Sequence, residues 1–196
     1  MIAIIDYNAG NLCSVENALR RLGARFEVTS DPEKIVSASH VLMPGVGEAS
    51  SAMANLRETG LVEVVKSLTQ PVLGICIGLQ LMCAFSEEGQ TPCLGVFDPY
   101  VRRFDPASGD KIPHMGWNTI TGLRGPLFKG VQDGSFVYYV HSFRPEISDS
   151  QTIAVTEYAG SPFSGALCRD NFFGTQFHPE KSGPVGAAIL KNFIEL

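Results

Sequence analysis

Pro71-Val72-Leu73-Gly74-Ile75-Cys76-Ile77-Gly78-Leu79-Gln80 is the stretch that decides the fold of this chain. Its apolar run over residues 71–75 reads as a buried strand, and residues 79–85 read as the first turns of a helix. Cys76 stands at the junction, flanked by Gly74 and Gly78. A strand that turns at once into a helix strains the backbone and has little room for a Cβ beside the turning residue, so small neighbours have a mechanical reason. The turn lifts its side chain over the end of the sheet. It also aims free N–H groups and the positive pole of the helix at the sulfur. Both favour the thiolate, the reactive form of cysteine. An isolated cysteine is most often a buried core thiol. The two glycines and the strand–helix junction move the reading toward a nucleophile, which then needs a second site to partner it.

Outward from this stretch, the first half alternates strand and helix. Residues 2–7 read as a strand and residues 8–11 as a turn. Leu12, Val15, Leu19 and Leu22 follow with helical spacing, and Gly23 is a helix stop. Residues 26–29 form a second strand. Asp31-Pro32-Glu33 signals a helix start, with a capping residue and proline at the first helical position. Residues 40–43 form a third strand that ends in Pro44-Gly45-Val46-Gly47. Helices follow to about residue 57 and over residues 61–68, and the strand at 72–75 completes the run. Repeated β-α units of this length predict a mostly parallel sheet with helices on both faces. Ligands of such sheets sit at the carboxyl ends of the strands, where both Cys76 and the Gly45–Gly47 loop fall.

The second half changes character. Residues 95–104, 117–121, 136–143, 152–159 and 166–177 are strand-like, with turns between them. Asp170-Asn171 suggests a hairpin. Residues 184–194 carry Val185, Ala188, Ile189 and Phe193 at helical spacing and read as a closing helix. With no linker, repeat or low-complexity tract, residues 1–196 are expected to form a single domain: a parallel half with the nucleophile and a more antiparallel half.

Bulk properties restrict the function classes. The chain has 196 residues, of which 44% are hydrophobic and 18% charged, an ordinary soluble globular balance. A net charge of -5 gives no basic footprint for nucleic acid. No apolar run approaches the roughly 20 residues of a membrane span. The N-terminus opens on a strand without a signal peptide pattern. Cys13, Cys76, Cys83, Cys93 and Cys168 are odd in number and hold no C-x-x-C pair, so reduced thiols in the cytoplasm are expected. There is no H-x-x-H or mixed Cys/His cluster, so neither a metal nor another cofactor is expected.

The partner for Cys76 comes from Phe173-Gly174-Thr175-Gln176-Phe177-His178-Pro179-Glu180, where an imidazole and an acid stand two residues apart at a strand end. In extended backbone, positions i and i+2 share a side, and Pro179 restricts φ between them. Glu180 can then hold one ring nitrogen of His178 and leave the other for the nucleophile, which is the orienting role in a triad. His40 reads as structural, and His141, inside a strand, could line the site.

Gly74-Ile75-Cys76-Ile77-Gly78-Leu79-Gln80 together with Phe177-His178-Pro179-Glu180 resembles the triad class of glutamine amidotransferases. Three further stretches narrow the resemblance. Asp6-Tyr7-Asn8-Ala9-Gly10-Asn11-Leu12, Pro44-Gly45-Val46-Gly47 and above all His114-Met115-Gly116-Trp117-Asn118 are similar to the glutaminase subunits of imidazole glycerol phosphate synthases, in histidine biosynthesis. The resemblance runs from Asp6 to Lys181. It implies a flavodoxin-like α/β fold of the class I amidotransferases and hydrolysis of L-glutamine by Cys76, His178 and Glu180. It also implies an oxyanion site at the backbone of Ile77 and of Val46 and Gly47. Gly45, Gln80, Glu88, Ser142 and Phe143 would then line the glutamine pocket. The family usually has tyrosine where Phe143 stands. The implied partner is a (β/α)8-barrel cyclase subunit in a heterodimer, facing Asn11, Trp117, Tyr138 and Lys181. The cyclase would use the ammonia to make imidazole glycerol phosphate and an aminoimidazole carboxamide ribotide.

Other readings of the same residues are a glutaminase of vitamin B6 synthesis, a stand-alone cysteine hydrolase such as a thioesterase or peptidase, and a non-catalytic binding subunit. The Trp117 motif counts against the first, and the complete Cys76, His178 and Glu180 set counts against the last.

Overall fold

The computed structural model describes residues 1–8, 12–105 and 109–196. The first half alternates as the hydrophobic pattern predicts: β1 (Ile2–Ile5), α1 (Cys13–Arg21), β2 (Phe26–Thr29), α2 (Pro32–Ser37), β3 (His40–Gly45), α3 (Ala49–Glu58), α4 (Leu61–Lys66) and β4 (Val72–Cys76). The local signals act as physics requires. Val15 and Leu19 of α1 are buried and Gly23 takes φ 69° just past its end. The Asp31 carboxylate accepts from the Glu33 N–H at 2.9 Å, capping α2 behind Pro32.

One difference follows Cys76. The helix there, α5 (Ile77–Met82), begins two residues earlier than residues 79–85 and is shorter. Cys83 turns extended at φ -67°, ψ 174°, and the Ala84 N–H donates to the Pro99 carbonyl at 3.2 Å. Phe85 therefore opens a strand, β5 (Phe85–Ser86), instead of extending the helix. The chain continues through β6 (Thr91–Pro92), β7 (Tyr100–Arg103), β8 (His114–Ile120), β9 (Ser135–His141), β10 (Phe143–Pro145), β11 (Thr152–Tyr158), β12 (Ser161–Arg169), β13 (Phe172–Thr175) and α6 (Gly183–Ile194). The expected hairpin is present, with β12 and β13 antiparallel about Asp170-Asn171 and Asp170 at φ 53°.

The central sheet has seven strands in the order β11-β12-β13-β4-β3-β1-β2. Strands β2, β1, β3, β4 and β13 run parallel, and β12 and β11 add the antiparallel edge. The two halves of the chain thus share one sheet, because β13 pairs directly with β4. Alternation along the strands divides the core. Ile2, Ile4, Leu42 and Leu73 pack against α1 and α6 on one face, while Ala3, Ile5, Val41 and Met43 meet α2 to α5 on the other. A hairpin of β8 and β9 and a small sheet of β10, β7, β5 and β6 flank the C-terminal edge.

The contact of α5 with the sheet is backbone on backbone. A Cβ on Gly78 would lie 1.7 Å from the Met43 carbonyl oxygen, and one on Gly74 would lie 2.7 Å from the Gly78 carbonyl carbon. Gly78→Ala is accordingly expected to lower stability by about 3 kcal/mol or more, as overpacking against immobile backbone. Gly23→Ala, with nothing within 4 Å of its Cβ, meets only the unfavourable positive φ and should lose about 1 kcal/mol. Urea unfolding of the two variants measures the difference.

Candidate active site

Cys76 occupies the last position of β4, where the chain reverses into α5 at φ 54°, ψ -107°. That is a strained conformation for a residue with a Cβ. It pairs in register with Gly45 at the end of β3, and the residue is 6% exposed. The neighbouring strand on the other side, β13, runs parallel to β4 with Thr175 opposite Ile75. Its continuation therefore reaches the same edge. Cys76 and His178 line one cleft of about 300 Å³, together with Val46, Gly47, Ile77, Gln80, Glu88, Val140, Ser142 and Phe143.

The His178 Nδ1 and the Glu180 Oε1 are 2.8 Å apart, with side chains 2% and 4% exposed. They do not meet as neighbours on one side of a strand. His178 is extended at φ -97°, ψ 96°, and residues Pro179–Lys181 form a 3-10 turn that folds the carboxylate back onto the ring. Since a carboxylate can only accept, Nδ1 donates to it and Nε2 is left for another partner. Nε2 is buried, and the group that acts on it is the Cys76 sulfur. Burial alone would lower the imidazole pKa, but the sulfur of Cys76 and the carboxylate of Glu180 overcome it and hold it at about 10. The imidazole is thereby electrically coupled to the thiol.

Two residues of this arrangement had no signal in the pattern of the sequence. Ser182 donates to the His178 carbonyl at 2.6 Å and accepts from the Tyr138 N–H at 2.9 Å. The His178 N–H donates to the Tyr138 carbonyl at 2.9 Å. The turn that follows His178 is thus stitched to the backbone of β9. Gln176, fully buried, directs its side-chain amide at the Cys76 sulfur at 3.6 Å.

The remaining expected site residues fall as follows. Gly45 stands behind the cleft wall instead of in it: a Cβ there would meet the Tyr7 hydroxyl at 2.3 Å and Ile77 Cγ2 at 2.7 Å. The Tyr7 hydroxyl donates to the Pro44 carbonyl at 2.8 Å, bracing the loop that carries Val46 and Gly47. Gln80 reaches the cleft, but its amide nitrogen donates to the Phe143 carbonyl at 3.0 Å and to Gln176 Oε1 at 2.9 Å. Glu88 is half-buried, which raises its pKa, and its Oε2 accepts from the Ala49 N–H at 2.8 Å. Trp117 and Tyr138 are cross-strand partners of β8 and β9, with rings 6.0 Å apart on the outer face. Lys181 is exposed at the end of the turn that follows His178, and Asn11 lies outside the described residues. Among the described residues no group of three or more His, Cys, Asp or Glu could hold a metal ion, and no helix is long and apolar enough to cross a membrane.

Behind the cleft, the inner face of the hairpin holds a directed chain of polar groups. His141 Nδ1 lies 2.8 Å from the Phe143 carbonyl, which can only accept, so this nitrogen carries the proton. His141 Nε2 must then accept from His114 Nδ1 at 3.0 Å. His114 Nε2 in turn accepts from the Asn118 side-chain N–H at 3.3 Å, and Asn118 also donates to the Glu157 carbonyl at 3.0 Å. Every direction is set by the two terminal carbonyls, and both rings must be neutral. Burial lowers the pKa of His114 to about 4, and burial is the chief cause holding His141 at about 3. An unfolded histidine titrates near 6.5. The contribution of the pair is therefore complete above that value and lost as pH falls toward 4 and then 3. His178, raised to about 10, does not offset this, because its contribution is already complete below 6.5. Unfolding free energy is expected to fall steadily between about pH 6.5 and pH 4. Imidazole ¹⁵N spectra at neutral pH should place the proton of both rings on Nδ1.

The chain has known relatives. Residues 3–196 match the family Glutamine amidotransferase class-I. The chain is 55% identical to the imidazole glycerol phosphate synthase subunit HisH of Bacteroides fragilis over 196 residues, covering 100% of this chain and 99% of that protein. It is 53% identical to the protein of the same name from Bacteroides thetaiotaomicron, with the same coverage, and 47% identical to that of Haemophilus influenzae, covering 99% and 96%. Among solved structures, a glutamine amidotransferase superposes with a TM-score of 0.76 over 100% of this chain and 98% of that one, at 16% identity. Another, from Thermotoga maritima, superposes with a TM-score of 0.65 over 99% and 80%, at 20% identity. These two share the fold. The chain belongs to the class-I glutamine amidotransferases and, within them, to the family of the HisH subunits of imidazole glycerol phosphate synthase.

Proposed function

We propose that this chain, as a single glutaminase domain over residues 1–196, hydrolyses L-glutamine and passes the ammonia to a cyclase subunit that makes imidazole glycerol phosphate in histidine biosynthesis. The observation that carries the reading is the meeting of Cys76 and His178 in one cleft, with the Glu180 carboxylate on the far ring nitrogen. Five cysteines in the thiol form suit the reducing cytoplasm as the setting.

The chemistry follows from the amide. The Cys76 sulfur attacks the side-chain carbonyl carbon of glutamine, and His178 Nε2 takes the thiol proton. The carbon becomes tetrahedral with its oxygen negative. Donors for that oxygen are the N–H of Ile77, directly after the nucleophile, and an N–H of the Val46–Gly47 loop; losing one such donor typically costs on the order of 100- to 1000-fold in turnover. His178 then gives its proton to the nitrogen, the C–N bond breaks and ammonia leaves. Water, deprotonated by His178, attacks the thioester and releases glutamate and the thiol. The Glu88 carboxylate is the charge partner for the α-ammonium of the substrate, while Ser142 and Phe143 bound the opposite wall.

Ammonia released into water would be protonated and lost as a nucleophile, so a docked acceptor is required. Met115, Trp117 and Phe136 are 63%, 55% and 58% exposed, and they share the outer face of the β8–β9 hairpin with Tyr138. Aromatic residues so placed are the usual anchors of an interface. The face supports docking of a (β/α)8-barrel cyclase in a heterodimer, with Lys181 at its margin. The same hairpin carries the backbone groups bonded to His178 and Ser182, so a partner that presses on it acts on the catalytic turn.

Four outcomes are expected of the chain co-purified with the cyclase, three in a glutaminase assay with and without the cyclase's nucleotide and one in a binding titration. Turnover is low alone and rises with the liganded partner; full turnover by the isolated chain would remove the gating. Cys76→Ala abolishes turnover, and Glu180→Gln lowers it by about 100-fold or more through loss of the oriented base. Trp117→Ala weakens the complex by about 2 kcal/mol in a binding titration while the isolated chain melts as before.

A further inference from the structure

Gln176 has no part in the triad, yet it is fully buried one residue before Phe177 and reaches the nucleophile. Its Nε2 lies 3.6 Å from the Cys76 sulfur, within hydrogen-bond distance for that atom. An amide side chain can present either its oxygen or its nitrogen, and the choice here is forced. The Phe143 carbonyl only accepts, so the Gln80 atom 3.0 Å from it is the nitrogen. That same nitrogen lies 2.9 Å from the other end of Gln176, which must therefore be its oxygen. The Gln176 N–H₂ is left pointing at sulfur. Gln80 is 3% exposed, so water does not compete for either contact.

We propose that Gln176 is a further catalytic residue: its side-chain N–H is a fixed donor to the Cys76 sulfur, aimed by Gln80 through the Phe143 carbonyl. A donor held on sulfur stabilises the thiolate more than the thiol and restrains the side chain in the attacking position. It does so from the side opposite in kind to His178, since it offers a proton that it never gives up. The charged and titratable groups around the sulfur are few. His178 and Glu180 come from the turn after β13, Tyr7 from the end of β1, His141 from β9, and Glu88 from the cleft wall. Tyr7 and His141 are both held neutral by burial near neutral pH.

The inference rests on Cys76 being the nucleophile, and its test needs no glutamine turnover, so the two readings fail separately. The rate at which iodoacetamide alkylates Cys76 is followed against pH by mass spectrometry of the Cys76 peptide, in the unaltered chain and in Gln176→Met, which keeps the volume and removes the donor. The midpoint of the profile should move up by about one pH unit, as expected for loss of one hydrogen bond to a charged group. A purely structural role would lower the melting temperature and leave the midpoint in place. An unchanged midpoint overturns the proposal. If Gln176→Met does not fold, the side-chain amide protons of Gln176 are followed by NMR in the unaltered chain. They should shift with the same midpoint as the alkylation of Cys76, and amide protons indifferent to that transition overturn the proposal equally.

Discussion

The direct seating of α5 on the sheet is the constraint on which the rest depends. Gly78 brings the helix backbone against the Met43 carbonyl, and Gly74 and Gly174 remove the side chains that would hold it away. With so little room, the chain must reverse within one residue, and that residue is Cys76 at φ 54°, ψ -107°. Such a conformation costs about 1–3 kcal/mol. Burial of Ile77, Leu79, Leu81 and Met82 in α5 offsets it, at roughly 1.5–3 kcal/mol for each large apolar side chain. The strain persists because the helix below the cysteine is entirely buried and cannot relax outward.

His178 arrives by topology. A parallel partner for β4 is drawn from the far end of the chain, so β13 ends at the same edge as Cys76. The turn after it is then held from three directions. Glu180 holds the ring, Ser182 holds the His178 carbonyl, and Tyr138 of β9 receives the His178 N–H. The outward aromatic face and the backbone contact to His178 lie on one hairpin, so the proposed docking and chemistry are joined without any long-range path. The inner face of that hairpin continues the theme. His114, His141 and Asn118 form a chain that can run in one direction only, and it ends on the Phe143 carbonyl at the cleft.

Much of this was legible in the sequence. The β-α alternation of the first half and the motifs around Cys76 and His178 are short-range patterns, and the structure places their elements within a few residues of the pattern. Strand–helix geometry at Cys76 could be read because glycine spacing reports steric exclusion directly. The helix end at Met82 could not, because Phe85 leaves α5 to pair with Tyr100 of β7, a contact that no local propensity encodes. The His178–Glu180 contact was expected for extended backbone and is made by a 3-10 turn instead. His141 was expected as a possible lining of the site and does line the cleft, but Gln176, Ser182 and the linkage of His141 to His114 were not legible. They are defined by hydrogen bonds between residues 27 to 100 positions apart, or by backbone partners on another strand. The resemblance alone set Trp117 and Tyr138 toward a partner, and the β8–β9 register puts them on the side of the hairpin where Met115 and Phe136 are exposed.

The most direct measurement of the central claim, that the strained cysteine is a nucleophile built for glutamine, is covalent labelling with a glutamine-analogue electrophile followed by peptide mapping. The account predicts one adduct per chain, on Cys76, suppressed by free L-glutamine. Labelling spread over the more accessible Cys13, or an adduct on Cys76 that glutamine does not suppress, would contradict it.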